Sequence, residues 1–187
     1  MRREAARSLG AFVALFRQDA ARWVRPQQVA SLDEVTARRM FSLLLRHPPL
    51  RAMAWFRFGS WAKAVGVVGL PGWCQRRIAR LYGLEISPGD DIGGGLYVPH
   101  PTGTTISIER LGRNVSVIAA ATVGARTAAV WPRIGDRVFV GAGARVLGGI
   151  DVGDDASIGA NAVVIDDVPA GATVVGIPAR VSRTHTP

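Results

Sequence analysis

The residues with the clearest chemical potential lie in the segment LYVPHPTGTTIS, residues 96–107, where His100 stands between two prolines. The chain has three histidines, and the other two, His47 and His185, have no motif around them. A free imidazole titrates near pH ~6.5 and so exchanges protons readily at neutral pH. His100 is therefore either a reactive group or a turn residue, and the pattern around it has to decide.

A repeat of six residues surrounds His100, beginning at residue 86. Aliphatic side chains recur at this interval, usually followed by glycine or another small residue. A helix needs a period near 3.6 and an ordinary strand alternates, so a period of six indicates short strands separated by regular turns. Three such units form a triangular coil, and coils stack. The sequence thus predicts a left-handed parallel β-helix of hexapeptide repeats. The aliphatic positions are Ile86, Ile92, Val98, Leu111, Val117, Val123, Ile134, Val140, Val146, Val152, Ile158 and Val164.

The period breaks twice, on either side of the coils that follow His100. The interval from Val98 to Leu111 is 13 residues, one more than two repeats, and that from Val123 to Ile134 is 11. A solenoid accommodates extra residues as loops at a corner, and such loops commonly form binding surfaces. We therefore expect one functional region at the two breaks, which contain His100 and the segment ARTAAVWPR (125–133).

The first 80 residues have a different pattern. Apolar residues recur there at intervals of three and four, which is typical of helices. Breaks at RHPPL (46–50) and GVVGLPG (66–72) predict three or four helices, one of them opened by a capping box of Ser31 and Glu34. We expect an α-helical N-terminal domain over 1–82 and a β-helix domain with a short C-terminal tail over 83–187.

The positive charge of the chain lies in its helical part. Residues 1–80 contain 15 Lys and Arg against 4 Asp and Glu, whereas residues 81–187 contain 8 against 10. A solvated arginine-rich surface is favoured over nucleic-acid binding, because no aromatic and basic platform for RNA is present. Arg51, Arg57 and Lys63 interrupt the apolar stretch 50–73, so we expect no membrane span there. Peripheral membrane contact by this arginine- and tryptophan-rich segment is the lesser alternative.

The cysteine and histidine content limits the chemistry further. A single cysteine, Cys74, excludes an intramolecular disulfide framework and any multi-cysteine metal site. A zinc site of three histidines is excluded in the β-helix, which has only His100 before the tail. No cleavage pattern of a signal peptide follows the apolar run 9–16. We expect a cytoplasmic protein that uses no metal.

The order of motifs resembles a known family. GLEISPGDDIGGGLYVPHPTG (83–103), the interrupted coil, and VGAGARVLGGIDVGDDASIGANAVVIDDVPAGATVVGIPARV (140–181) are similar to serine acetyltransferases and related hexapeptide acyltransferases. The similarity is dense over 83–181 and looser over RHPPLRAMAWFRFGSWAKA (46–64) in the helical part. This resemblance implies an O-acetyltransferase with acetyl-CoA as donor and a small-molecule hydroxyl acceptor. It also implies a homo-oligomer, a trimer, because the family places its sites between adjacent prisms.

The resemblance assigns the catalytic roles. His100 takes the place of the family's general base, and Glu85, fifteen residues earlier, takes the place of the acidic residue that orients it. The chemistry agrees, because an alcohol is a poor nucleophile at neutral pH and a histidine can accept its proton during attack on a thioester. A carboxylate on the other ring nitrogen would fix the tautomer and stabilise the imidazolium.

Two departures from the family concern the acceptor. Serine-specific members usually carry Asp just before the histidine, where this chain has Pro99. They also carry Arg-His-Pro on the second loop, where it has Val130, Trp131 and Pro132. The missing Asp and Arg would contact the ammonium and the carboxylate of an amino acid, so their absence weakens serine as the acceptor. Trp131 could stack on a sugar ring or be wedged at a subunit contact, so a sugar or polysaccharide O-acetyltransferase is the alternative. A non-catalytic trimerising module is another.

The family binds acetyl-CoA along a groove between neighbouring coils. Small residues would let the pantetheine arm approach the backbone, and arginines would meet the 3′-phosphate. The candidates are Gly124, Ala125, Ala142, Gly143 and Ala160, with Arg145 and Arg180 for the phosphate. The coil itself also demands small residues, so each glycine and alanine has a structural alternative.

Overall fold

The helical part of the protein consists of four α-helices in the residues that the computed structural model describes, which are 8–24, 30–127 and 129–184. These are α1 (Leu9–Val24), α2 (Ala37–Arg46), α3 (Pro48–Ala64) and α4 (Leu70–Tyr82), with a 3₁₀ helix (Leu32–Glu34) before α2. Proline stands in the first turn of α3 and of α4, where its missing N–H has no helical partner to lose. In this described part, no helix is both long and apolar enough to cross a bilayer.

The predicted capping box forms, but it opens the 3₁₀ helix rather than an α-helix. The Ser31 hydroxyl accepts the N–H of Asp33, and the Glu34 carboxylate accepts the N–H of Ser31, both at 3.3 Å. α2 has its own cap, Thr36, whose hydroxyl accepts from Arg39. Val35 separates the two elements, and its side chain is buried in the core. The 3₁₀ helix therefore ends at Glu34, and α2 begins separately at Ala37.

Thirteen short strands follow in the described residues from Leu84 onward, and they form three sheets. Sheet A consists of β1 (Leu84–Ile86), β2 (Thr104–Ile106), β5 (Thr122–Gly124), β8 (Arg145–Leu147) and β11 (Val163–Val164). Sheet B consists of β3 (Arg110–Leu111), β6 (Arg133–Ile134) and β9 (Asp151–Val152). Sheet C consists of β4 (Ser116–Val117), β7 (Phe139–Val140), β10 (Ser157–Ile158), β12 (Ala172–Gly176) and β13 (Ala179–Thr184).

All strand pairs except one are parallel, as in a β-helix. The exception is β13, which folds back antiparallel on β12. The three sheets are the faces of a left-handed β-helix of about five coils, so the predicted fold class is confirmed. The twelve aliphatic positions of the repeat all face the interior, and each is at most 6% exposed. Burial of one such side chain stabilises a fold by about 1.5–3 kcal/mol, so the repeat is also the core.

Between Val98 and Leu111 the chain passes two corners of the prism, and the one residue beyond two repeats is the net result of both corners. Ile106 takes the inward position between them, eight residues after Val98 and five before Leu111. The loop that contains His100 therefore has two residues more than a regular corner, and the next corner has one fewer. The second break, by contrast, adds all of its extra residues to the single corner between Val123 and Ile134.

A buried ion pair joins the helices to the first coil. Arg57 of α3 donates two hydrogen bonds to the carboxylate of Asp19 of α1, at 2.8 and 3.0 Å, and the side chains are 3% and 0% exposed. Arg57 also donates to two carbonyl groups, and Asp19 accepts two N–H groups, all in the backbone of residues 92–96. Burial raises the pKa of Asp19, whereas Arg57 and the backbone donors lower it. Every polar atom of the pair is thus used to position the helices.

Candidate active site

His100 lies at the corner between sheets C and A, in the loop with two extra residues, and its side chain is exposed. The end of α4 supports this loop. The N–H of Gly103 donates to the carbonyl of Gly83 at 2.9 Å, and the hydroxyl of Thr102 lies 3.5 Å from the carbonyl of Tyr82. An exposed imidazole on a loop tied at its base is available to a ligand.

The other histidines do not compete for this role. His47 packs beside the ring of Trp23, with 4.9 Å between the ring centroids, at the junction of α2 and α3. His185 lies outside the described residues. No group of three or more His, Cys, Asp or Glu side chains in residues 8–24, 30–127 and 129–184 has the arrangement of a metal site.

Glu85 lies in the middle of β1, and its side chain points outward from sheet A. The hydroxyl of Thr105 on β2 donates to Glu85 Oε2 at 3.3 Å. Among the described contacts, no hydrogen bond joins Glu85 to His100. Both residues nevertheless belong to sheet A or to the loop that enters it, since His100 lies four residues before the first residue of β2. A carboxylate has about four acceptor positions, so Glu85 can hold Thr105 and accept a second donor.

A polar column continues from Glu85 across the outer face of sheet A. The register places Glu85 beside Thr105, Thr105 beside Thr122, and Thr122 beside Arg145. With about 4.8 Å between neighbouring strands, Arg145 stands roughly 14 Å from Glu85. One guanidinium nitrogen of Arg145 donates to the carbonyl of Ala120, at the corner that precedes β5. The column therefore aligns a carboxylate, two hydroxyls and a cation on one face.

Thr105 and Thr122 are not among the residues expected from the sequence, because their neighbours depend on the register between coils. A signal for them is nevertheless present. Each member of the column directly precedes an inward aliphatic residue of sheet A, as Glu85 precedes Ile86. In a strand, consecutive side chains point to opposite faces, so the residue before an inward position faces outward.

The loop of the second break lies at the opposite edge of sheet A. The strands of this sheet are parallel, so all of them begin at the edge of His100 and end at the edge of residues 125–132. Three strand residues separate the two edges by about 10 Å. Val130 and Trp131 are 52% and 40% exposed on this far loop. The expectation that both breaks form one functional region is therefore not met within a single chain.

The candidate residues for acetyl-CoA divide between the same two edges. Gly124 and Ala125 lie at the edge of the second loop, whereas Ala142, Gly143 and Ala160 lie in corners at the edge of His100. Arg180, on β13, forms an exposed ion pair with Asp166 at 3.3 Å. One chain cannot present both sets to one short groove.

The backbone and its surroundings constrain two of the candidate glycines, Gly143 and Gly124, to different extents. Gly143 has a φ of +69°, and an added Cβ would collide with the Asn161 side chain. At Gly124 the nearest atom to an added Cβ is the Ser107 Cβ, at 3.9 Å, an ordinary contact. A side chain would therefore be strained at 143 but not at 124, although Ala120 has a φ of +56° at the equivalent corner one coil earlier.

Comparison with known proteins agrees with this architecture. Residues 132–166 match the family model described as bacterial transferase hexapeptide (six repeats). The serine acetyltransferase of Helicobacter pylori is 36% identical over 152 residues, which cover 79% of this chain and 89% of that protein. The structure of Neisseria gonorrhoeae serine acetyltransferase in complex with serine superimposes with a TM-score of 0.79 at 30% identity, over 96% of this chain and 72% of that one.

A second similar structure is a serine acetyltransferase in complex with CoA. It has a TM-score of 0.75 and 28% identity, over 95% of this chain and 72% of that one. The similarity thus extends over the helices as well as the β-helix, and it includes most of the length of each relative. On these grounds the chain belongs to the serine acetyltransferase family and is an acyltransferase of the acetyl-CoA-dependent O-acetyltransferase type.

Proposed function

We propose that this enzyme transfers the acetyl group of acetyl-CoA to a hydroxyl acceptor bound beside His100, and that L-serine is the first acceptor to consider. The placement of His100 carries the proposal, because the imidazole is exposed at the edge of the polar column that holds Glu85. The relative from Helicobacter pylori supports serine by its name, and the solved complexes with serine and with CoA support the two substrates.

His100 acts as the general base in the proposed reaction. It accepts the hydroxyl proton while the hydroxyl oxygen attacks the thioester carbonyl carbon. The carbon–sulfur bond then breaks, the acetyl group stays on the acceptor oxygen, and the imidazolium returns its proton to the leaving thiolate of CoA. Glu85 stabilises the imidazolium through the carboxylate positions that Thr105 leaves free. The proposed step uses no metal.

A second copy of the chain completes the site in this proposal. His100 and Trp131 lie at opposite edges of sheet A, and so do the two groups of candidate residues for acetyl-CoA. Adjacent prisms can place one edge of a copy against the opposite edge of its neighbour, and a closed ring of such contacts gives a cyclic oligomer. We propose a trimer. A cytoplasmic location belongs to the same proposal, since the single Cys74 fits a reducing compartment.

A sugar hydroxyl is the second candidate acceptor, and a specific observation favours it. The loop that the second copy would bring to the site carries the uncharged Val130 and Trp131, both exposed, and Pro99 precedes the histidine. None of these three side chains can pair with the ammonium or the carboxylate of an amino acid. A tryptophan face, in contrast, suits the C–H surface of a sugar ring.

The experiment is an assay of CoA release with a thiol reagent. L-Serine is compared with sugar nucleotides and oligosaccharides as acceptors, and product formation is confirmed by mass spectrometry. His100→Ala should lower turnover by about 10²–10⁴-fold, the usual contribution of a general base. Full activity of His100→Ala would remove the mechanism. Failure of every acceptor, together with no CoA binding by calorimetry, would leave the non-catalytic trimerising module.

A further inference from the structure

The turn between α3 and α4 forms an apolar tip on the helical part of the molecule. Its three valines, Val65, Val67 and Val68, are 40%, 42% and 96% exposed. Around Gly66 and Gly69 in the same turn, no atom lies within 4 Å of an added Cβ, so the turn projects into open space. Contiguous exposed apolar surface of this kind is a feature of interaction sites. We define Val65–Gly69 as the tip.

Two tryptophans lie one helical turn from the tip, one on each side. The N–H of Val65 donates to the carbonyl of Trp61 at 3.0 Å, and the N–H of Trp73 donates to the carbonyl of Gly69 at 3.0 Å. Trp73 is 43% exposed, and its ring contacts Trp55 with 5.4 Å between centroids. Tryptophan prefers the boundary between water and lipid, because its ring is apolar and its N–H is polar.

The two helices that flank the tip, α3 and α4, carry positive charge and no negative charge. From residue 35 to residue 84 the chain contains nine Lys and Arg and no Asp or Glu. Arg76, Arg77 and Arg80 follow Trp73 at intervals of three, four and seven, which places all four on one face of α4. The guanidinium of Arg77 lies over the rings of Trp55 and Trp73, at 4.8 and 5.3 Å. In the described part of the chain, these three arginines form no ion pair.

We propose that this surface binds an anionic membrane. The tip and the exposed Trp73 enter the interfacial layer, and Arg76, Arg77 and Arg80 contact the lipid phosphates. A basic helix face that also carries tryptophan and aliphatic groups has the composition of an interfacial segment. Each arginine near an anionic lipid surface strengthens such binding. A second copy of the same surface is the poorer partner, because two faces that carry only positive charge repel each other.

This inference reverses the sequence-based preference for a merely solvated face. In the sequence, charged residues interrupt the apolar stretch 50–73, which argues against a membrane span. In the structure Leu50, Met53 and Phe56 of that stretch are buried in the core, whereas the valines of the tip stay exposed at one projecting turn. The arginines of the proposed surface lie on α4, the helix that follows the tip. Such a surface lies on a membrane without crossing it.

Membrane binding and acetyl transfer are separate in this geometry. α4 has 13 residues, so it spans about 20 Å from the tip to Gly83, which supports the His100 loop. Substitutions at the tip should therefore leave acetyl transfer in solution unchanged, and the inference does not depend on the acceptor. Failure of vesicle binding and failure of the proposed reaction are thus distinguished by two separate assays.

The test is flotation of the full chain with vesicles. The wild type should float with mixed phosphatidylcholine and phosphatidylglycerol but not with phosphatidylcholine alone, and added salt should release it. Val68→Asp should weaken binding about tenfold, because it removes one buried side chain from the lipid and adds a negative charge. Arg76→Gln and Arg80→Gln should each weaken it about fivefold.

Matched control variants lie on β13, far along the chain from the tip. Val181→Asp also replaces an exposed valine, which is 51% exposed, and Arg183→Gln also removes an exposed arginine. Both should bind vesicles as the wild type does. Circular dichroism and melting of each variant verify that it is folded.

Three outcomes would overturn the proposal. The first is a wild type that does not float with anionic vesicles. The second is a set of tip and arginine variants that bind as the wild type does, or controls that lose binding to the same extent. The third is a Val68→Asp variant that keeps vesicle binding but has a smaller mass by light scattering, because the tip would then be a contact between copies.

Discussion

His100 and Trp131 lie in loops at opposite edges of one parallel sheet, and the three-residue strands between these edges are about 10 Å long. Each residue occupies a corner where the six-residue period is broken. Mixed oligomers test whether two copies join these edges into one site. His100→Ala and Trp131→Ala should each lose activity with the acceptor. Co-assembled at random in trimers, the two variants should regain about one quarter of the wild-type activity, since a quarter of the contacts pair an intact histidine with an intact loop.

Mixing the two assembled variants without subunit exchange is the control, and it should restore nothing. Absence of recovery in verified mixed trimers would place both residues in a site within one chain, or Trp131 outside the site. Full activity of Trp131→Ala alone would also exclude Trp131.

Glu85 should act through His100 rather than on the substrate. Glu85→Gln keeps an acceptor for the Thr105 hydroxyl but removes the charge that stabilises the imidazolium. We expect kcat to fall by at least about tenfold, with KM for both substrates nearly unchanged. Thr105→Val, which removes the donor 3.3 Å from Glu85, should lower kcat less. An unchanged kcat for Glu85→Gln would refute the pairing.

The two glycines of the acetyl-CoA set should respond differently to alanine. Gly143→Ala introduces a Cβ at a φ of +69° beside Asn161, and left-handed backbone costs a non-glycine residue about 1–2 kcal/mol. Its melting temperature should fall by several degrees. Gly124→Ala should melt within about 1–2 °C of the wild type. If the pantetheine arm passes Gly124, KM for acetyl-CoA rises in this variant, and an unchanged KM removes Gly124 from the binding residues.

The Asp19–Arg57 pair should be a major source of stability between the helices and the β-helix. Asp19→Ala leaves a buried guanidinium without its carboxylate, which costs about 3–5 kcal/mol in buried pairs. The exposed pair of Arg133 and Asp151 is the control, and Arg133→Ala should cost less than about 1 kcal/mol. Urea unfolding measures both. Equal losses in the two variants would contradict the role of burial.

Acid should weaken the β-helix in part through Asp136. The backbone N–H of Arg113 holds the pKa of this carboxyl below its usual range, and the charges of Arg113 and Arg137 lower it further. The unfolded chain then binds more protons, so this contribution is complete above the usual pKa of about 3.9 and is lost as the pH falls through the lower folded value. The difference in urea midpoint between wild type and Asp136→Asn should shrink on acidification. A difference independent of pH would contradict this account.

The β-helix could be predicted from the sequence because its rule is local and repeated. One inward position follows another after six residues, and each is filled by a single buried aliphatic side chain. Val117, Val140 and Ile158 illustrate this, since all three are fully buried at equivalent places on sheet C. The family also followed from the sequence, because its motifs lie in this same repeat.

The helical part was predicted less completely. Proline and glycine ended the helices where the sequence indicates, because these residues act on their own backbone. The capping box of Ser31 and Glu34 formed as predicted, yet it opens only a single 3₁₀ turn, since the backbone of the buried Val35 is not helical and α2 starts from its own cap, Thr36. A local motif starts a helix, but tertiary contacts decide its length.

By itself the sequence determined the six-residue repeat, the class of enzyme and the presence of a histidine where the repeat is interrupted. The tertiary structure decided which edge of the prism each break occupies. It also brought Asp19 to Arg57 across 38 residues of chain and left the valines between α3 and α4 exposed at one tip. The physical reason is the range of the interactions. The six-residue pattern of buried side chains can be recognised in each short segment. The edges of the sheets, the buried ion pairs and the exposed surfaces, in contrast, form only after distant segments have packed together.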